Sequence, residues 1–261
     1  MIIAIVILDR IQPQLDNKDP YFLTLGTETV LERVARTVLR GPFAGTIIAS
    51  DAAFSARAKE TLDGFAVQHV EAATPDLIQS ALKQADSFRQ RWKKAMAAAK
   101  ARFGDSSTAE KKSSTRKDDK TARKEDWDKH KGDPDVKLRG LARSFDRDGV
   151  MLFRANQPLL TIEFQAQLIE NFAREGVDKG SAARPFTQAV YEGERGYPML
   201  IDFENVAEVT ALPPATDFSK WLLQHLDRVK DVNGDKAQGL QLRSDADYRE
   251  ACLRLKVKPA L

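Results

Sequence analysis

Asn156 and Gln157 are polar residues at a position where an α/β protein could use them for ligand binding. They directly follow the apolar segment 149–153, which has the composition of a buried strand. Ligands of open α/β sheets bind at the carboxyl ends of the strands, where a side-chain amide can hydrogen-bond them. The alternative is a turn in which the Asn156 side chain bonds its own backbone. The sequence leaves both interpretations open.

Several other kinds of chemistry lack the residues that they require. His69, His130 and His225 lie far apart and have no neighbouring cysteine, so a histidine-based metal site is not expected. Cys252 is the single cysteine, and its apolar neighbours predict a core residue rather than a nucleophile. The motifs GxSxG, HExxH and GxxxxGK followed by Ser or Thr do not occur, so nothing supports a hydrolase triad or a Walker-type ATPase.

The elements that must position a site are strands alternating with helices. Residues 2–8 form a continuous apolar run, typical of a strand that is buried on both faces. Further strands are predicted at 46–50, 65–70, 149–153, 188–191 and 199–203, with a turn at 192–196. Helices are predicted at 27–39 with Thr27 as N-cap, 52–62, 161–172, 218–229, and 245–255 with Ser244 as N-cap. This alternation indicates a three-layer α/β fold with a mostly parallel sheet between helices.

One predicted helix is much longer than the others. Thr74-Pro75-Asp76 is a typical helix start, and apolar residues recur every three or four positions as far as Phe103. After this point the chain becomes rich in Ser, Lys and Asp and has few aliphatic residues, which predicts disorder. We therefore expect a single domain over 1–261, with an insertion at 89–145 that consists of an extended helix and a charged, low-complexity loop.

Composition and charge narrow the possible partners. Residues 89–131 contain 15 Lys+Arg and 7 Asp+Glu, whereas the 261-residue chain has a net charge of only +3. Because the two signs are interleaved in this tract, we expect a solvated segment, and nucleic-acid binding is not expected. The longest apolar run, 2–8, is far shorter than the ~20 residues that span a bilayer. One cysteine is consistent with a reducing compartment, so the sequence predicts a cytoplasmic protein without a membrane partner.

Four short stretches, in the same order, resemble the MobA-like nucleotidyltransferase family of molybdenum-cofactor biosynthesis. The stretch LGTETVLERV at 25–34 is similar to the family's LGGKxVLERV, and GVMLFRANQPLLT at 149–161 resembles its strand that ends in GDQPLxT. RGYPMLI at 195–201 is similar to RGHPVLF, and SDADY at 244–248 stands where the family has DTPEDY. The resemblance covers roughly 1–88 and 146–256.

The resemblance implies a Rossmann-like nucleotidyltransferase domain that binds an NTP with Mg²⁺. Such a domain transfers the nucleotidyl group to a phosphorylated acceptor, typically a pterin, and releases pyrophosphate. The residues placed near this reaction are Asp9 and Asn156 by the metal, Arg10, Lys18 and Gln157 by the nucleotide, and Arg195, Gly196, Tyr197 and Pro198 in a substrate-facing turn. For the two cations Arg10 and Lys18, a solvated surface loop is the alternative, which the usual exposure of charged residues favours.

The sequence departs from the family pattern at the groups that hold phosphate and metal. When the signature LAAGxSxRxGxxK is aligned on Leu8 without gaps, its glycines, Ser, Arg and Lys all fall on other residue types. Asp9 and Arg10 replace its first two small residues. Asn156 replaces the metal-binding Asp, and Arg243 replaces the Asp of the last motif. We therefore expect nucleotidyl transfer to be weak or absent.

Two functional hypotheses follow from the sequence. In the first, the protein binds a nucleotide or a phosphorylated small molecule at the carboxyl edge of its sheet, with weak or absent transfer activity. In the second, it is a non-catalytic module that binds a protein partner or a second copy through the helix at 76–103. Trp92 and Met96 continue the apolar stripe of this helix. A stripe of this kind must be buried against the chain's own core or against a partner.

Overall fold

The computed structural model describes residues 1–10, 18–103, 147–174 and 186–259. The strands are β1 Ile2–Leu8, β2 Thr24–Leu25, β3 Glu28–Thr29, β4 Gly45–Ser50, β5 Gln68–Glu71, β6 Gly149–Arg154, β7 Phe186–Tyr191, β8 Glu194–Asp202 and β9 Val229–Asn233. The helices are α1 Val30–Leu39, α2 Ala52–Thr61, α3 Leu77–Phe103, α4 Ile162–Arg174, α5 Phe203–Thr210, α6 Phe218–Gln224 and α7 Asp245–Leu255. Short 3₁₀ turns lie at Pro20–Phe22, Thr74–Asp76, Leu226–Arg228 and Lys236–Gly239.

A seven-stranded sheet in the order β5-β4-β1-β6-β8-β7-β9 forms the centre of the molecule. β5, β4, β1 and β6 are parallel neighbours, β8 runs antiparallel to β6 and β7, and β9 pairs with β7 in parallel. The predicted α/β class with a mostly parallel sheet is thereby confirmed. The chain passes from β1 to β4 and β5 on one side, and then returns to β6 on the other side of β1. The crevice between β1 and β6 is therefore a switch point, where open sheets bind ligands.

β1 is buried on both faces because it lies between two apolar clusters. Its alternate residues Ile2, Ala4, Val6 and Leu8 pack with α1, α2 and α4, while Ile3, Ile5 and Ile7 pack with α3, α5 and α6. Full burial of one such side chain stabilises the fold by about 1.5–3 kcal/mol. A third cluster joins α7 to the small β2–β3 pair and includes Cys252, which is 1% exposed. The expectation that Cys252 is a core residue is confirmed.

The N-cap of α1 is Thr29, so the prediction of Thr27 was wrong. The Thr29 side chain accepts a hydrogen bond from the Glu32 backbone N–H at 3.1 Å, and the Glu32 carboxylate accepts one from the Thr29 N–H at 2.6 Å. Thr27 instead lies in the tight turn between β2 and β3, beside Gly26 with a φ of 73°. The capping box and the hairpin together start the helix after the predicted position. The Ser244 cap of α7 is confirmed.

The turn between β7 and β8 is shorter than the predicted 192–196. Only Glu192 and Gly193 form it, with φ values of 51° and 88°. Two positive φ angles characterise the tight hairpin turn whose twist matches that of the flanking strands. Glu194 to Gly196 therefore belong to β8. The strand predicted at 65–70 also begins later, at Gln68.

β9 was missed, because the sequence pattern predicted a helix as far as Val229. α6 ends at Gln224, and Val229 pairs instead with Phe186 of β7. β9 has only one fully buried side chain, Val232, so its own sequence carries little strand pattern. The predicted charged loop of the insertion lies outside the described residues, whereas α3 extends to Phe103 as expected. Within the described ranges, the helices are too short or too polar to cross a bilayer.

Candidate functional site

A cavity of about 410 Å³ lies at the carboxyl edge of the sheet, and we call it the edge cavity. It is lined by residues from the ends of β1 and β6, from β8, and from the segments around the start of α3, the end of α5 and the start of α6. These residues are Asp9, Thr74, Pro75, Ile78, Gln79, Arg154, Tyr197, Val209, Leu212, Thr216, Asp217, Phe218 and Ser219. The edge cavity therefore opens beside the switch point between β1 and β6.

Asp9 and Arg154 form an ion pair in the wall of the edge cavity. Arg154 ends β6 and is the register partner of Ile7 on β1, so the parallel pairing brings Asp9 next to it. The Arg154 Nη1 donates to Asp9 Oδ2, and the two side chains are only 21% and 20% exposed. Burial by itself would lower the pKa of Arg154, but Tyr197 and Asp9 raise it above its usual value. The guanidinium therefore stays charged.

Two tyrosines complete the surroundings of this ion pair. The guanidinium carbon of Arg154 lies 4.6 Å from the centre of the Tyr197 ring. The Tyr21 hydroxyl donates to the Asp9 backbone carbonyl at 2.5 Å and lies 3.3 Å from Asp9 Oδ1. Burial, and then the neighbouring Asp9 carboxylate, raise the pKa of Tyr21 well above its usual value. Tyr21 is therefore a permanent hydrogen-bond donor at neutral pH.

A bulge in β8 brings Tyr197 to the edge cavity. Gln188 and Ala189 are consecutive on β7, but their partners on β8 are Met199 and Gly196. Tyr197 and Pro198 therefore form extra residues between the two pairs, and bulges of this kind redirect a side chain. Because proline lacks an N–H, Pro198 suits such an unpaired position.

Asp51 and Thr74 connect the rim of the edge cavity to the predicted cation Arg10. Asp51 Oδ1 accepts a hydrogen bond from the Ala53 N–H at 3.0 Å, and Oδ2 accepts one from the Thr74 hydroxyl at 2.7 Å. These two hydrogen bonds lower the pKa of Asp51. The Arg10 Nε lies 3.7 Å from Asp51 Oδ1 on a side chain that is 69% exposed. Lys18 is also exposed.

Asn156 and Gln157 are fully buried and do not line the edge cavity. The Asn156 side-chain NH₂ donates to the Leu242 carbonyl at 3.2 Å, and the Leu242 N–H donates to the Asn156 carbonyl at 2.9 Å. The Gln157 NH₂ lies within hydrogen-bond distance of the Gln238 carbonyl at 2.7 Å and the Tyr197 carbonyl at 2.9 Å. Both side chains thus hold the segment before α7 against the end of β6.

Three of the four residues of the predicted substrate-facing turn line cavities, and these three are divided between two places, whereas Pro198 lines neither of them. Tyr197 lines the edge cavity, whereas Arg195 and Gly196 line a separate cavity of about 330 Å³. Arg195 forms two hydrogen bonds to Asp231 of β9, Nε to Oδ1 at 2.7 Å and Nη2 to Oδ2 at 3.1 Å. The structure therefore brings Asp9 and Tyr197 together and keeps Arg195 apart from them.

Arg154 lines the edge cavity, but the sequence pattern did not predict it as a site residue. A charged residue at the end of a strand that is otherwise apolar was the available signal. Asp9 follows another such strand with the opposite charge, so pairing of the two strands would have predicted the ion pair. The sequence alone could not give the register between β1 and β6, which brings together two residues that are 145 positions apart.

The residues around the edge cavity do not fit a Mg²⁺ ion. Mg²⁺ requires several oxygen ligands in octahedral geometry. Asp9 is paired with Arg154, Asp51 accepts two hydrogen bonds, and Asn156 is buried against Leu242. In the part of the chain that the structure describes, no group of three or more His, Cys, Asp or Glu could hold a metal.

Comparison with solved structures identifies the fold. The homologue of Mycobacterium tuberculosis Rv0371c from Mycobacterium sp. strain JC1 matches 97% of this chain and 98% of its own, with a TM-score of 0.58 and 16% identity. A nucleotidyl transferase from Methanothermobacter thermautotrophicus matches with a TM-score of 0.55 and 14% identity over 98% and 99% of the two chains. A CMP:2-keto-3-deoxy-manno-octonic acid synthetase, complexed with CTP, matches with a TM-score of 0.55 and 8% identity over 98% of both chains.

No protein-family model and no curated protein matches this sequence. At identities of 8% to 16%, the structural likeness establishes the fold and no finer relationship. The matches extend over nearly the whole length of each chain, and the sheet has the mostly parallel order described above. The protein therefore has the nucleotidyltransferase fold.

Proposed function

We propose that the protein binds a nucleotide, or a phosphorylated small molecule of similar size, in the edge cavity and that its nucleotidyl transfer activity is weak or absent. The observation that carries this proposal is the position of Arg154, a partly buried cation in the wall of a cavity beside the switch point of the sheet. The four MobA-like sequence stretches and the CTP complex of one structural neighbour support the ligand class. We propose a relationship to the MobA-like family on the basis of those four stretches alone.

The size and lining of the edge cavity suit a nucleotide-sized ligand. Pockets for small molecules typically measure about 300–1,000 Å³ and combine apolar walls with a few polar groups. Ile78, Leu212 and Phe218 provide apolar surface for a planar ring, and the hydroxyl groups of Thr74 and Ser219 can bond a sugar or the ring edge. Arg154 adds a cation for an anionic group.

Within the described residues, no group of three or more His, Cys, Asp or Glu could hold a metal, and this is the reason to propose weak transfer. Nucleotidyl transfer with Mg²⁺ needs carboxylates that are free to coordinate it. In the described part of the chain, Asp9 and Asp51 are both engaged by other groups. The two positions where the family has acidic residues hold Asn156, which is buried, and Arg243, which is exposed. These four residues give no place for the metal.

Thermal unfolding with each NTP, with and without Mg²⁺, tests ligand binding. A ligand at 100 times its Kd stabilises the folded state by about 2.7 kcal/mol, which raises the Tm. Ile78→Glu would place a carboxylate at the edge cavity, where it would repel an anionic ligand, and Ser87→Glu is its control on the exposed face of the same helix. The proposal requires a Tm increase in the wild type and in Ser87→Glu, and a smaller one in Ile78→Glu. Equal increases in all three, or none in the wild type, would contradict it.

Release of pyrophosphate and transfer of labelled monophosphate test the second part of the proposal. We expect no transfer above the background without protein when CTP or GTP and Mg²⁺ are supplied with a phosphorylated acceptor. Turnover at about 1 s⁻¹ or faster, the lower end of the range of ordinary enzymes, would show that the catalytic groups are present elsewhere.

A second candidate function is binding of a protein partner or a second copy through residues 76–103. Met96 is 54% exposed, and Phe88 and Trp92 line an apolar groove of about 550 Å³ together with Ala44. Exposed apolar surface of this kind marks interaction sites. If this helix associates with itself, Met96→Glu should remove the larger species in sedimentation velocity, whereas Ala97→Glu, one position along on a different face, should not. A monomer at every concentration would exclude self-association.

A further inference from the structure

We propose that Arg154 is the anion-binding residue of the edge cavity and that Asp9 competes for it, so that an anionic ligand must displace the Asp9 carboxylate from the guanidinium. The inference rests on the proposed function insofar as the edge cavity holds a ligand. It goes further, because it names the residue that recognises the charge of the ligand and the residue that opposes binding.

The charges of the lining support this assignment. Among the described residues that line the edge cavity, Arg154 is the only cation, and Asp9 and Asp217 are the only anions. The Asp217 carboxylate caps α6 by accepting a hydrogen bond from the Ser219 N–H at 2.8 Å. Among these lining residues, an anionic ligand therefore meets one cation and two carboxylates. It gains a full pairing with Arg154 only if it takes the place of the carboxylate that is paired with it.

Arg154 is held in position by more than Asp9. Its side chain is 21% exposed at the end of β6, and its guanidinium lies over the Tyr197 ring at 4.6 Å. Stacking on an aromatic ring orients the planar guanidinium and leaves its N–H groups available in the plane. If Asp9 moves away, the Tyr197 contact remains, and Arg154 can pair with another oxyanion.

Asp9 has a second polar partner within reach. The Tyr21 hydroxyl lies 3.3 Å from Asp9 Oδ1, on a tyrosine whose ring is buried. The single hydrogen of this hydroxyl is donated mainly to the Asp9 carbonyl at 2.5 Å, and a carboxylate displaced from Arg154 could take it over by a small rotation of the O–H bond. Asp9 also lies at the end of β1, where sheet pairing no longer constrains its backbone.

The charge of the ligand can be inferred from the group that it must displace, the Asp9 carboxylate. A phosphate monoester carries up to two negative charges and presents two oxygens to the guanidinium, so it pairs with arginine at least as well as a carboxylate does. A neutral ligand offers no replacement for Asp9. We therefore assign to this site a ligand with a terminal phosphate group rather than an uncharged nucleoside.

Inorganic phosphate is the probe that tests the competition directly. Its Kd would be measured by calorimetry at fixed ionic strength for the wild type, for Asp9→Asn and for Asp217→Asn. Both variants remove one negative charge from the same lining, and Asn is also a good N-cap in place of Asp217. We expect Asp9→Asn to bind phosphate at least about tenfold more tightly than the wild type, and Asp217→Asn to gain less than about threefold.

The double variant Asp9→Asn with Arg154→Gln shows which cation receives the anion. We expect it to lose the gain that Asp9→Asn produces. The inference would be overturned if Asp9→Asn bound phosphate no more tightly than Asp217→Asn, or if the double variant kept the gain.

A measurement on the wild-type protein covers the case in which Asp9→Asn does not fold. In the ¹⁵N-labelled protein, millimolar phosphate should shift the Arg154 Nε–H resonance, assigned by its absence in Arg154→Gln. An unmoved Arg154 resonance at saturating phosphate would also overturn the inference.

These results distinguish the inference from the proposed function. If no nucleotide binds the wild type but Asp9→Asn gains phosphate affinity, the proposed function fails and the competition is supported. If nucleotides bind the wild type but Asp9→Asn gains nothing, the competition fails and the proposed function is supported.

Discussion

The guanidinium of Arg154 lies 4.6 Å from the centre of the Tyr197 ring, so the end of β6 and the bulge of β8 form one wall of the edge cavity. The two residues belong to antiparallel neighbours in the sheet. Without the extra residues of the bulge, β8 would continue its regular pairing with β7 at this point. The shape of the edge cavity therefore depends on an irregularity in one strand.

Replacing Tyr197 tests how much its ring contributes. Tyr197→Phe keeps the ring, so we expect a change in the free energy of unfolding of about 0.5 kcal/mol or less. Tyr197→Leu removes the contact with the guanidinium, which at a partly buried site contributes about 1–2 kcal/mol. Urea unfolding of both variants measures the difference. Equal stabilities would mean that Arg154 does not depend on the ring.

Asn156→Asp restores the residue type that the resembling family uses for its metal, yet we expect no transfer activity from it. The side chain is buried, and its NH₂ donates to the Leu242 carbonyl, so a carboxylate there would lose a donor and face an oxygen. Leaving this contact unsatisfied should lower the stability by about 1–3 kcal/mol or more. Urea unfolding and a pyrophosphate-release assay with Mg²⁺ check the two parts. Gain of activity at unchanged stability would show that the position faces the ligand.

Asp202 and Arg147 form an ion pair whose removal should be costly. Arg147 Nη2 lies 3.0 Å from Asp202 Oδ2, and the side chains are 10% and 2% exposed. Asp202→Asn keeps an acceptor for the N–H groups of Glu204 and Asn205 but removes the negative charge that pairs with Arg147. Breaking a buried pair in this way costs about 3–5 kcal/mol.

Urea unfolding of Asp202→Asn is compared with that of Asp227→Asn, a change to an exposed carboxylate. The control should stay within about 0.5 kcal/mol of the wild type. A loss below 1 kcal/mol for Asp202→Asn would show that the pair is not important for stability.

Asp51 should make the stability depend on pH in the acid range. Hydrogen bonds from Ala53 and Thr74 lower the pKa of Asp51 in the folded state. Its contribution is therefore complete above the unfolded pKa of about 3.9 and is lost as the pH falls through the lower folded value. The wild type should exceed Asp51→Asn in stability at pH 6, and the difference should shrink towards pH 2.

Thr74→Val tests whether the hydrogen bond from Thr74 contributes to the lowered pKa of Asp51. Loss of the hydroxyl donor should raise the pKa of Asp51, which NMR titration of the carboxyl carbon measures directly. A stability difference between the wild type and Asp51→Asn that stayed constant from pH 6 to pH 2 would contradict the assignment.

Local patterns in the sequence were sufficient for the class of fold. The apolar run of β1 has no alternation because it is buried on both sides, and the cap of α7 at Ser244 lies within four residues of the groups it bonds. β9 was not predictable in this way, because its position depends on pairing with β7 rather than on its own side chains. Likewise, the N-cap at Thr29 depended on the hairpin that precedes it.

The sequence by itself determined the alternation of strands and helices, the length of α3, and the presence of Asn156 and Arg243 where the resembling family has acidic residues. Only the tertiary structure decided that Asp9 meets Arg154, because the contact joins residues 145 positions apart through the pairing of β1 with β6. It also decided that Asn156 faces the segment before α7 instead of the edge cavity. Hydrophobic periodicity and capping are local properties, whereas the direction of a side chain at a strand end depends on which distant segment packs against it.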